Sequence, residues 1–258
     1  MPFIDEVKLL FIVVIFATGV AGGLAPFRVK ESANSKLQMA RGNAFAGGIF
    51  LGAGLLHMLP DSAAAFAIVA PDIGYPLPAL FAGLAILLVL LTDQIAKSNS
   101  QNDSASVDSA EIHSRPMLLF VVLSLHSMIT GIALGLETAM MTTISLFIAI
   151  IAHKGAAAFA LGTALASAKR KNNRRTIFIF AATTPLGILL GTVLSDGLSS
   201  NWAKGFEAIF DGLAAGTFLY VALMDIFIEA FRDGTGRWSK LFFAMAGFSL
   251  MALIVFWA

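Results

Sequence analysis

Two histidines open one repeated pattern in this chain. His126 and His153 are each followed seven residues later by Ala-Leu-Gly, in HSMITGIALG and HKGAAAFALG. Both stretches are very apolar, and imidazole at the centre of a lipid-facing length of chain is costly enough to mark a functional site. Matching frames point to one site shared by the pair. The chain has no cysteine, which excludes disulfides, thiolate metal sites and cysteine nucleophiles, so metal chemistry here must use nitrogen and oxygen ligands. A third histidine belongs to GLLHMLPDSAAAF, where His57 and Asp61 lie one helical turn apart on one face. Pro60 removes a backbone donor beside them and favours a kink. Broken helix geometry inside a membrane is tolerated where it lines a polar cavity. A structural hydrogen bond and a ligand role both fit the His57–Asp61 pair.

These residues must be held by membrane helices. Hydrophobic residues make up 58% of the 258-residue chain and charged ones 13%. With a mean hydropathy of +0.84, a soluble globule would lack the polar surface to cover itself. About twenty apolar residues cross a hydrocarbon core of about 30 Å as a helix. On that basis eight spans are expected, at Lys8–Phe27, Asn43–Val69, Pro76–Thr92, Pro116–Leu136, Thr142–Ser167, Thr176–Leu194, Ala208–Phe231 and Leu241–Trp257. The first is read as a helix and not a secretory signal, because its apolar run is long and Asp5 and Glu6 spoil the positive n-region. The expected fold is an all-α membrane bundle forming a single transmembrane domain over 1–258.

Charge placement orients the bundle. Fourteen of the 17 lysines and arginines fall in the connections after spans one, three, five and seven. The positive-inside rule then puts those connections in the cytoplasm and both termini outside it. KRKNNRR could suggest a nucleic-acid patch, but it joins two spans, and no nucleic-acid partner is expected. Residues 93–115 are rich in Ser, Asn and Asp without apolar periodicity and read as a flexible cytoplasmic loop, with His113 solvated in it. The expected location is a plasma membrane or a bacterial inner membrane.

Depth brings the paired histidines together. At about 1.5 Å rise per residue, His126 and His153 each fall some 15 Å from a membrane face, near the midplane. Only a few residues around 137–141 join spans four and five, which predicts an antiparallel hairpin. Thr130 lies one turn from His126 on the same side, and Ala157 stands likewise to His153. Gly131, Gly135, Gly155, Ala156 and Gly162 allow helix backbones to approach closely.

GGIFLGAGLLHMLPD, LSLHSMITGIALGLE, AHKGAAAFALG, TTPLGILLG and GLAAGTFLYVALMDIF resemble, in order, spans two, four, five, six and seven of the ZIP (Zrt/Irt-like protein) family of divalent-metal transporters. The HSxxxG and HKG forms are most similar to the animal zinc-importing branch. The resemblance implies a metal site between spans four and five, with the family's histidines matching His126 and His153. It also implies that spans one, four, five and six move against a scaffold of two, three, seven and eight.

Departures from the family pattern change the expected site. Where span four usually supplies a carboxylate one turn after its histidine, this chain has Thr130. Ala157 and Thr184 replace residues that are acidic or polar in many relatives, and Lys154 stands where two-metal members have an aspartate, as it does in the animal branch. Each lost carboxylate removes a ligand and a compensating charge. A weak, single-ion site follows, with Lys154 in the role of the second cation, paired with Asp61 or Asp211. The expected ligands are His126, His153, His57 and Asp61, with the hydroxyls of Thr130 and Ser127. Asp211, with Asp61, is expected to form an acidic entrance, while Asp225 and Glu229 are either exit ligands or interfacial charges.

The function expected is uptake of a divalent metal, zinc first, into the cytoplasm by alternating access. Ligation needs neutral imidazoles, so acid should weaken it. No prosthetic group and no enzymatic activity are expected, and the partners are the metal ion and the lipid bilayer, with a homodimer left open. Two other readings stay open on the residues alone. One is a metal-sensing, receptor-like protein without transport, suggested by Thr130 and Ala157. The other is an intramembrane zinc hydrolase, for which an HExxH-type motif is missing.

Overall fold

The computed structural model describes residues 2–28, 33–102, 107–167, 173–194 and 200–257. Among them there is no strand, and eight helices are long and apolar enough to cross a membrane, in agreement with the expected count. They are Glu6–Arg28, Ser35–Val69, Leu77–Ile95, Leu119–Leu136, Met140–Ala166, Asn173–Leu194, Lys204–Phe231 and Arg237–Phe256, here numbered spans one to eight. Helices satisfy every backbone group internally, which hydrocarbon demands. The chain is an integral, multi-pass membrane protein.

The spans sort into two packed groups. Span four lies chiefly along span six, and span one packs on spans five and six. In the other group span two packs on span eight, and span seven packs on span three and on the half of span two that carries His57 and Asp61. The groups meet mainly where span two touches span five and where span four touches spans three and seven.

Spans four and five pack against each other across their short connection, as expected, but span four's closest approach is to span six. A Cβ on Gly131 would come within 2.4 Å of the Thr184 carbonyl oxygen, and one on Gly135 within 2.3 Å of that of Ile188. Reciprocally, Gly187 and Gly191 face the carbonyls of Met128 and Ile132 at 2.3 Å. Four glycines at i, i+4 spacing on two helices thus bring backbones into contact, the small-xxx-small geometry of membrane helices. Gly155 and Gly162 of span five serve span one instead, against Gly22 and Gly23. The short connection makes four and five neighbours, but the glycines decide which helices touch most closely.

Replacing Gly187 with Leu forces a side chain into the Met128 carbonyl and is expected to cost about 3 kcal/mol or more. Gly83 has nothing within 4 Å of a built Cβ, so Gly83→Ala should leave stability unchanged or slightly raised. Melting temperatures of the purified variants in detergent check this, and equal melting of Gly187→Leu and parent would refute the close packing.

Spans two and seven each carry a π-helical turn, Ala53–Met58 and Val221–Phe227. In span two the Leu59 N–H bonds the Gly54 carbonyl, five residues back. Pro60, which cannot donate to Leu56 and crowds its carbonyl, follows directly, so the widened turn takes the form of the expected kink. The π turn of span two packs against span seven, and that of span seven against span two.

Helix extends further into the connections than the sequence reading placed it. Residues 93–102 continue the helix Leu77–Asn102, and 107–115 begin the helix Val107–Leu136, where a loop was expected. Past the hydrocarbon core, water can take over the exposed backbone groups, and good helix formers such as Ala110 and Glu111 carry the helix on. Span two likewise starts its helix at Ala33, well before the expected Asn43.

The turn between spans seven and eight is built for a tight reversal. Gly234 and Gly236 adopt φ of 66° and 58°, the left-handed region that glycine enters without a Cβ penalty. Fully buried Lys240 donates to the Asp233 carboxylate. That hydrogen bond first, then those from Thr235, holds the Asp233 carboxyl down at about 2. Because this lies below its ordinary value of about 4, the contact is fully formed at neutral pH and fades as the medium is acidified from about 4 towards 2.

Candidate metal centre

His126 and His153 meet in the middle of the bundle. Their side chains come from spans four and five, are 7% and 3% exposed, and have ring centroids 5.5 Å apart at 55°. A tetrahedral ion with metal–nitrogen bonds of about 2.0 Å would hold two imidazole centroids about 5 Å apart. His153 Nδ1 is buried without a well-formed hydrogen bond, although the imidazole lies within reach of the Ala149 backbone one turn back, and a ring nitrogen so weakly held is suited to a ligand.

Thr130 Oγ1 lies 3.2 Å from His126 Nε2 and donates to the His126 carbonyl at 2.7 Å. Helix geometry accounts for it, since residues four apart share a face. The hydroxyl therefore occupies the position from which a carboxylate one turn after the histidine would reach an ion.

The other expected ligands form separate pairs. His57 Nδ1 and Asp61 Oδ2 are 2.7 Å apart, with side chains 14% and 44% exposed. His57 is within electrostatic reach of both His126 and His153, and Asp211 is within reach of His57, Asp61 and Glu207. Among the described residues, no three of His, Asp and Glu stand close enough together to hold one metal ion. For a metal ion, the histidine pair with His57 and Asp61 nearby would be a thin ligand set.

Lys154 differs from its expected pairing. Its Nζ donates to Ser127 Oγ at 3.0 Å and to the Phe180 carbonyl at 3.1 Å, and lies 3.8 Å from the centroid of the Phe180 ring. Neither Asp61 nor Asp211 forms a salt bridge with it among the described residues. A buried ammonium gains from an aromatic face and neutral oxygens, and with span six packed so closely Lys154 finds them there. Ser127, an expected ligand, is thereby engaged as an acceptor for the ammonium. Thr184 on span six is 1% exposed, and its Oγ1 is buried without a partner.

At the basic end, Glu229 pairs with Arg232 at 3.6 Å and both are largely exposed, the interfacial arrangement. Lys8 on span one is buried and donates to the Gly135 carbonyl at 2.7 Å, tying span one to the end of span four.

Phe218 is the neighbour that the sequence reading missed. Its ring is fully buried, with its centroid 4.6 Å from that of His126 and 6.0 Å from that of His153. A signal was present: Asp211, Phe218 and Asp225 recur every seven residues on span seven, a spacing that keeps side chains on one helix stripe. A single aromatic in an apolar span does not stand out by composition.

Comparison with known proteins places the chain in a family. The family described as ZIP Zinc transporter matches residues 5–116 and 96–255. Zinc transporter ZIP1 of Danio rerio is 28% identical, with 99% of each chain covered. Zinc transporter ZIP2 of Mus musculus is 35% identical over 56% of this chain and 47% of its own length. Human zinc transporter ZIP1 is 26% identical, over 97% of this chain and 91% of its own. With the family match running through all eight spans and the histidine pair buried at their centre, the chain belongs to the ZIP family and is a transporter, not an enzyme.

Proposed function

We propose that the chain carries a divalent metal, zinc first, across the membrane towards the cytoplasm by alternating access, through a single-ion site at His126 and His153. The observation that carries this reading is the buried imidazole pair, 5.5 Å apart between centroids. The relatives' names supply zinc as cargo, and the nitrogen-rich, cysteine-free ligand set suits a borderline ion.

Asp61 and Asp211 attract the ion at the end opposite the basic connections, and His57 hands it to the pair. Thr130 and water complete the shell. With few charged ligands the ion leaves as readily as it arrives, which transport requires. Lys154, in its protonated form, places a positive charge beside His153 in the chain and keeps a second ion out. Spans one, four, five and six move together, a division supported by the way they pack on one another and by the few places where they meet the rest.

Radiolabelled zinc uptake into proteoliposomes of the purified chain tests the proposal. Saturable uptake well above protein-free vesicles is expected. Zinc binding without flux would favour a metal-sensing protein, and no flux of zinc, iron or manganese would end the transport reading.

A further inference from the structure

Phe218 connects the two groups of spans at the histidine pair. Besides both imidazoles, its ring meets that of Phe50 on span two edge to face, with centroids 4.6 Å apart at 68°. Phe50 and Phe218 are fully buried. One aromatic ring on span seven therefore touches spans two, four and five together.

The position of this ring along the bundle is set by the chain. Span two runs from the basic end towards Asp61, and Phe50 precedes His57 by seven residues, about 10 Å along a helix. Span seven runs the opposite way, and Phe218 follows Asp211 by seven residues. Both aromatics thus lie on the basic side of His57, Asp61 and Asp211. Exposure changes across this level: the Asp61 side chain is 44% exposed, whereas Phe50 and Phe218 are at zero and Leu161, Val221 and Ala222 beyond them are at 2% or less. All belong to one continuous apolar cluster with Ala157.

We propose that Phe218, backed by Phe50, is the gate between the histidine pair and the basic end of the bundle. An ion held by His126 and His153 reaches that end only when the ring leaves the imidazoles, because a seam lined by alkyl and aromatic carbon neither ligates a cation nor holds water around one. The ring sits on the scaffold group while the imidazoles sit on the other, so relative movement of the groups opens it. The ion's place in this sequence rests on the histidine pair being the metal site; the seal itself does not.

The absence of cysteine makes a direct test available. Ala157, 3% exposed and one turn from His153 towards the basic end, is changed to Cys. The chain is reconstituted, and a membrane-impermeant thiosulfonate is applied from the side of the basic connections. Labelling of Ala157→Cys alone is expected to be slow, and Phe218→Ala in the same background should speed it at least tenfold, with Phe218→Leu in between. Phe50→Ala should also speed it, which keeps the test alive if Phe218→Ala does not fold. Unchanged labelling in folded Phe218→Ala, or equal labelling in all variants, overturns the gate. Zinc added to the gate variant separates the two readings. Slower labelling upholds both, whereas fast labelling that zinc does not slow upholds the gate and counts against the histidine pair as the metal site.

Discussion

Alanine at His153 is expected to lower zinc uptake into proteoliposomes about a hundredfold or more at subsaturating zinc. Loss of a group that merely orients a ligand costs tenfold to a hundredfold in affinity, and loss of the ligand itself costs at least as much. The effect is large here because the ligand set is thin: among the described residues no third His, Asp or Glu stands with the pair to take up the vacancy. His126→Ala should match it. Truncation also leaves a cavity at a position 3% exposed, so His153→Gln, which fills more of the space, separates lost ligation from lost packing. His153→Gln should melt near the parent and still fail to transport. Parental uptake in folded His153→Ala would place the site elsewhere.

How much of this was legible in the sequence depends on which interaction sets each feature. The eight spans were, because hydrocarbon thickness and the cost of unpaired backbone leave one solution for so apolar a chain. The meeting of His126 and His153 was, because rise per residue puts them at matching levels on two spans joined by a short connection. What the sequence hid were lateral relationships. Gly131, Gly135, Gly187 and Gly191 are visible as small residues, but nothing in one span says which other span they meet. The structure pairs them with each other, and that choice takes Lys154 away from Asp61 and Asp211 to the carbonyl and ring of Phe180. Phe218 was hidden for the same reason, since its importance lies in the three rings it touches. The His57–Asp61 pair was readable because both partners share one helix face, a local relation.

Thr130→Glu is expected to tighten zinc binding and slow zinc release. The introduced carboxylate starts one turn from His126, where Thr130 Oγ1 now lies 3.2 Å from Nε2. At about 4 Å and an effective dielectric near 20, a carboxylate attracts a unit positive charge by about 4 kcal/mol. Burying it costs several kcal/mol, and the difference leaves a gain of one to two decades in affinity for a doubly charged ion. Tighter binding deepens the well from which the ion must escape, so flux at saturating zinc should fall even as the half-saturating concentration drops. Lys154 can intercept the new charge, since its ammonium rests on Ser127, three residues before Thr130 on the same helix. Thr130→Glu combined with Lys154→Gln removes that competitor and should show the full gain in affinity, while opening the site to a second ion. Zinc titration by calorimetry, run beside uptake, checks both variants. If neither binds zinc more tightly than the parent, the face of Thr130 does not look onto the ion, and the single-ion site at His126 and His153 is wrong in its geometry.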